Sequence, residues 1–257
     1  MGAFRTFWQA GRDLFDELFG LMFANLLWLL ISMPLLGLAF FLFAAGSPLA
    51  AGVVALLSVL LFAPANAGLT LIAQRVVEGR TFEWRLFFEG FREPRVLSWQ
   101  IYGLWMIGLL LILVNLGFYG QLANGIGAFL TVLFLYILVI WFSLLIYLGP
   151  LSIIQTDRRV RTVWRNALIL ALSRPFFTLL TTFLMGIIAT LSIWIPLLLI
   201  LLTAAFFAVW GFRATTNVIA EAEERRRALE EKRAAAAPSG APPAQEKGRG
   251  GQVRPRD

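Results

Sequence analysis

Residues 63–94 read APANAGLTLIAQRVVEGRTFEWRLFFEGFREP, and this stretch decides the fold. It begins inside a long uncharged segment, leaves that segment at Arg75, and is handed on to the next one at Arg95. Between Arg75 and Arg95 lie five arginines and four glutamates. Trp84, Phe87, Phe88 and Phe91 fall at i, i+3, i+4 and i+7, with Glu83, Arg85, Glu89 and Arg92 on other faces. That spacing predicts an amphipathic helix lying in a membrane interface, its aromatics at headgroup depth.

Outward from this stretch the charge is confined by position. None occurs from Leu18 to Gln74, from Val96 to Thr156, or from Pro175 to Phe212. A charge at the centre of a span costs about 2.5–3.5 kcal/mol on insertion scales, so gaps of this kind are what transmembrane helices require. Composition agrees, with 59% apolar residues, 14% charged residues and a mean hydropathy of +0.78. A soluble domain carries roughly 25% charged residues.

Each gap divides in two, because a span needs about 20 residues. The expected spans are 19–44 and 49–73, 96–119 and 128–148, then 176–193 and 197–212. Turns fall at Gly46-Ser47-Pro48, at Gly120–Gly127 and near Trp194–Pro196, and Pro150 is expected to end span four. The last gap could instead form one long kinked helix, but 38 residues would reach roughly 57 Å against a hydrocarbon core of about 30 Å. Six spans also keep all 37 charged residues on one side, which the positive-inside rule makes cytosolic. Five would send Arg213 and the basic tail across.

The fold class is therefore an all-α polytopic membrane bundle of six helices in three hairpins, each hairpin preceded by a cytosolic interfacial amphipathic helix. Before the first hairpin, residues 1–17 place Phe4, Phe7, Trp8 and Phe15 opposite Arg5, Gln9, Arg12 and Asp16. Before the third, Arg158, Arg161 and Arg165 oppose Val160, Val163, Trp164, Ala167, Leu168 and Ala171. Trp84-Arg85 and Trp164-Arg165 stand 80 residues apart in similar places, the mark of a parallel repeat. The membrane domain is expected over 1–220, a solvated charged helix with i,i+4 pairs such as Glu221–Arg225 and Glu223–Arg227 over 221–237, and a disordered basic tail over 238–257.

Several strings in order resemble the YesL-like family of bacterial integral membrane proteins, a domain of unknown function. They are NLLWLL with a following proline (Asn25–Leu30, Pro34), PANAGLTLIAQRVVEGR (Pro64–Arg80), FFEGFRE (Phe87–Glu93), YLGP (Tyr147–Pro150) and WRNALILALSRP (Trp164–Pro175). The resemblance covers about residues 4–212. It implies a multi-pass protein of the bacterial cytoplasmic membrane whose relatives are often encoded beside carbohydrate uptake genes, including binding-protein-dependent sugar transporters. It carries over no catalytic or binding residue. Ala65-Asn66-Ala67 departs from the family's usual small-Thr-Thr-Ala step.

With no cysteine and no histidine, disulfides, thiol chemistry and Cys/His zinc sites are excluded. No Lys, Asp or Glu lies within a span to serve as a base, so the expectation is a non-enzymatic protein without cofactor or metal. Its role is expected to be accessory or regulatory to another membrane system, with carbohydrate uptake the one the resemblance points to. The alternative is a small permease or channel with a polar site at Asn25, Asn66 and Asn115 beside the kinks at Pro34 and Pro64. Against it stands the plainer role for these amides, bonding between helices and satisfying carbonyls that proline frees. Thr178, Thr181, Thr182, Thr190 and Ser192 are expected to bond back to their own helix. Arg158, Arg159, Arg161, Arg165 and Arg174 are the candidate contacts for anionic headgroups or for a transporter or other membrane protein. The net charge of +7 is assigned to this topology and to lipid, not to nucleic acid.

Overall fold

The computed structural model describes residues 2–92 and 95–236. The described residues are helical with short connections: α1 (Ala3–Asp16), α2 (Leu18–Ala44), α3 (Pro48–Val77), α4 (Arg85–Glu89), α5 (Arg95–Tyr119), α6 (Gly125–Ser143), α7 (Leu145–Ile154), α8 (Val160–Ser173), α9 (Pro175–Trp194), α10 (Pro196–Leu198), a π-helical turn (Leu199–Thr203) and α11 (Ala204–Ala236). Six segments are long and apolar enough to cross a membrane: Leu18–Ala44, Pro48–Val77, Val96–Tyr119, Gly125–Ile154, Pro175–Trp194 and Pro196–Arg233. This is the pattern of a multi-pass membrane protein.

The ends of these helices follow from local chemistry. Pro48, Pro175 and Pro196 sit in the first turn of their helices, where a missing N–H costs nothing and φ is already set. Gly46 ends α2 at φ 79° and Gly79 ends α3 at φ 74°. At both, the N–H of the following residue reaches back five positions (Ser47 to Leu42 O, Arg80 to Arg75 O), a left-handed cap that L side chains disfavour. Asn124 caps α6, its side chain accepting from the Gly127 N–H at 2.7 Å.

The compact unit Met1–Ile219 holds the spans. In the most apolar window of α3, 39% of residues are buried, and 44% in that of the last span. In α2, in the α6–α7 span and in α9 the share is 17%, and in α5 it is 28%, so α3 and the last span are the most buried and those three the least. Large side chains of those three face outward: Phe19, Phe40 and Phe41 of α2, Phe129 and Tyr136 of α6, Phe176 and Phe183 of α9. Apolar exposure on this scale suits a lipid solvent and not water.

Two expectations are corrected. Pro150 does not end its helix; it lies inside α7, and the interruption falls earlier, at Leu144. The helix survives because the carbonyl that Pro150 leaves unbonded, Ile146 O, accepts the Thr215 hydroxyl at 3.1 Å. The helix expected from Arg75 to Arg95 is only the five residues of α4. The cap at Gly79 ends α3, and Arg75 then pins the returning chain through the Thr81 carbonyl (2.8 Å) and Glu83 (3.1 Å). Phe87 is fully buried while Trp84 and Phe88 are exposed, so the four aromatics do not share one face.

The chain from 176 to 212 is two helices broken at Ile195, not one. They pack on each other, and the Ser192 and Thr203 hydroxyls meet at 2.7 Å. The second unit, Ala220–Asp257, continues α11 to Ala236 with ion pairs Arg225–Glu221 and Arg226–Glu230; Glu221–Arg225 was among the expected pairs. The tail expected over 238–257 lies outside the described residues.

Candidate functional site

The three candidate asparagines have separate engagements. Asn25, fully buried in α2, gives its amide hydrogens to Leu199 O (2.9 Å) and Ile200 O (2.7 Å). Its Oδ1 accepts from the Ala204 N–H (2.8 Å) and the Ala205 N–H (3.1 Å). A primary amide has two N–H donors and two acceptor lone pairs, so Asn25 is used to capacity on the π-helical turn of the last span. Asn66 bonds to Phe62 O and Asn115 to Leu111 O, each one turn back on its own helix.

Pro64 is buried in α3, whereas Pro34 is exposed in α2. The carbonyl that Pro64 frees, Leu60 O, accepts the Trp99 indole N–H from α5 at 3.1 Å. The carbonyls freed by Pro64 and Pro150 are thus satisfied from another helix, by Trp99 and Thr215 and not by an asparagine.

One turn beyond Pro64, two backbones meet closely. A Cβ on Gly68 would overlap the carbonyl of Phe87, and one on Gly90 would overlap the backbone of Gly68 and the carbonyl of Pro64. Only glycine lets α4 lie backbone to backbone on α3. Val77 to Gly68 spans nine residues, so α4 sits about 13 Å back along α3 from its end, not beyond it. Two residues on, the Thr70 hydroxyl donates to Asn66 O at 2.7 Å and lies near the Tyr102 hydroxyl. Gly149 of α7 closes this contact: a Cβ there would stand 2.9 Å from Thr70 Oγ1 and 3.2 Å from the Tyr102 hydroxyl. Lower on α5 and α6, Trp105 and Trp141 exchange indole N–H bonds to each other's carbonyls at 3.2 and 3.0 Å.

The basic segment is displayed. Arg158, Arg159, Arg161 and Arg165 are exposed, with Arg159 3.6 Å from Asp157, and Arg174 is half-buried beside Tyr147. Helix α8 buries Val163, Ala167 and Ala171 and exposes Leu168, Ile169 and Leu172. Trp164 tilts against Trp141 at 5.2 Å, whereas Trp84 is exposed, so the two Trp-Arg pairs sit in different surroundings. Of the α9 hydroxyls, Thr182, Thr190 and Ser192 bond back to their own helix, while Thr178 meets the Tyr147 hydroxyl at 2.7 Å. Thr181 Oγ1 is buried and has no partner among the described residues.

One further element has no signature in the sequence. Arg213 of α11 forks onto Asp13 of α1, its Nε donating at 2.8 Å and Nη2 at 2.6 Å, with both side chains more than three-quarters buried. Asn217 adds bonds to Gln9 (3.1 Å) and Thr6 (3.3 Å). This seam fastens α1 to the last span, with Phe7 edge-on to Phe206 (5.8 Å) and Trp210 (5.1 Å), while Phe4, Trp8 and Phe15 are exposed. Partners 200 residues apart leave no local pattern.

Comparison with protein-family models, with curated proteins and with solved structures returns no match for this chain. The likeness to the YesL-like family rests on the quoted strings alone.

Proposed function

We propose that this chain is a non-enzymatic six-span protein of the bacterial cytoplasmic membrane that assists or regulates another membrane system. The YesL-like resemblance points to carbohydrate uptake as that system. In this reading the six spans form three hairpins, each entered from a cytosolic amphipathic segment (α1, the chain around α4, and α8), with both termini in the cytosol. The observation that carries it is that Asn25, the fully buried one of the candidate amides, is spent on packing. Asn25 gives all four of its hydrogen bonds to a neighbouring helix, and Asn66 and Asn115 bond to their own. Asn25 is therefore not offered to a solute, which favours an assisting role over a permease. The exposed arginines of residues 158–165 supply a surface for anionic headgroups and for a membrane partner.

Crosslinking in native membranes followed by mass spectrometry tests the role. Recovery of a defined transporter component is expected, and loss of that crosslink when Arg158, Arg161 and Arg165 are changed to Gln. Recovery of lipid and abundant bystanders alone would overturn the assignment. A reporter fused after Asp257 tests the orientation and should be active in the cytosol.

A further inference from the structure

Beside the α3–α4 junction opens a cleft of about 580 Å³ lined by Trp84, Arg85, Phe88, Glu89, Phe91 and Arg92. Three features give it a chemistry. Arg85, Glu89 and Arg92 follow one another at i, i+4 and i+7, and among the described residues none of the three forms an ion pair. The neighbouring carboxylates Glu78 and Glu83 are taken by Arg80 and Arg75. Trp84 and Phe88 meet edge to face at 6.0 Å, with the Arg85 guanidinium 5.8 Å from the Trp84 ring centroid. The cleft thus presents two cations flanking one anion, on an aromatic wall.

We infer that this cleft binds the headgroup of a zwitterionic, amine-bearing phospholipid, its phosphate held by Arg85 and Arg92 and its ammonium by Glu89. The charge order is complementary: a phosphodiester carries one negative charge, which a pair of guanidiniums matches by charge-assisted hydrogen bonds. Glu89 between them attracts an ammonium, which phosphatidylethanolamine carries and phosphatidylglycerol lacks, so the site selects the former. The Gly68–Gly90 contact holds α4 alongside the inner turns of α3, and Phe87 is buried there, so the cleft is fixed beside a candidate span. Trp84 and Phe88, both exposed, are aromatic side chains of the kind that favours headgroup depth. The accessory role is not required for this: a protein without a transporter partner would still carry the site.

Native mass spectrometry of the full chain released from nanodiscs of equimolar phosphatidylethanolamine and phosphatidylglycerol tests it. Wild type should retain phosphatidylethanolamine about tenfold over phosphatidylglycerol, the ratio expected from one charge-assisted contact. Glu89→Gln should bring that ratio to about one while phosphatidylglycerol binding is kept, an effect of about tenfold. Arg85→Gln with Arg92→Gln should lose both lipids. All three positions lie at the surface, and unchanged helical content by circular dichroism checks the fold. Equal retention of the two lipids by wild type, or a preference untouched by Glu89→Gln, would overturn the inference. So would binding of soluble phosphoethanolamine as tight as that of the lipid, since the occupant would then be a soluble phosphate ester.

Discussion

Replacing Asn25 by Leu removes four hydrogen bonds from a fully buried position while keeping the side chain's heavy-atom count and branching. Individual side-chain hydrogen bonds between membrane helices average about 0.6 kcal/mol, which puts the four at roughly 2–2.5 kcal/mol. The loss should exceed that, because Leu199 O and Ile200 O remain in an apolar surround without the amide, at about 1–3 kcal/mol for each group left unsatisfied. Taking the low end of that penalty for the two carbonyls, we expect a destabilisation of about 4–5 kcal/mol. Asn66→Leu is the control: its side-chain bond runs to Phe62 O on its own helix, and its loss should cost under about 1 kcal/mol. Reversible unfolding in mixed micelles, followed by tryptophan fluorescence, measures both variants. Hydrogen exchange should show the amides of 199–205 opening in Asn25→Leu and not in Asn66→Leu. Equal losses in the two variants would refute the reasoning, since they would make the clamp on the π-helical turn energetically idle.

Gly68→Val should push α4 off α3, because its Cβ meets the Phe87 carbonyl and the backbone cannot yield there. In this cysteine-free chain, a reporter Phe87→Cys should become reactive to a thiol reagent when combined with Gly68→Val and stay protected when Gly68 is kept. Asp13→Asn leaves Arg213 partly buried without its counter-charge and should cost about 2–3 kcal/mol, below the roughly 3–5 of a fully buried pair because both side chains keep some exposure. Asp13→Leu with Arg213→Met should recover part of that loss in the same unfolding assay. Trp99→Phe deprives Leu60 O of its indole donor and should cost about 1 kcal/mol, while adding Pro64→Ala to that variant should cancel most of the loss by returning the helical N–H.

Hydropathy and charge position determined the spans. The gaps ending at Gln74, Thr156 and Phe212 mark six helices whose ends the structure places within a few residues, except at span four, which runs on to Ile154, and at the last, whose helix runs on to Arg233. That success has a simple cause: each span meets lipid through its own composition, and Gly46, Pro48, Pro175 and Pro196 act within one or two turns of where they stand. The stretch 63–94 shows where local pattern stops. Its aromatic spacing would suit a long surface helix, but the contact of Gly68 with Phe87 and of Gly90 with Pro64 holds α4 against the middle of α3. Pro150 reads as a helix end and is not, because Thr215, 69 positions along the chain from Ile146, satisfies the carbonyl it frees. Asn25, Asn66 and Asn115 look alike in sequence, and only the first is a clamp, since only it faces a helix whose backbone has been loosened into a π turn. Which polar group satisfies which backbone depends on how the helices pack, and packing is a property of the assembled bundle and of no single span.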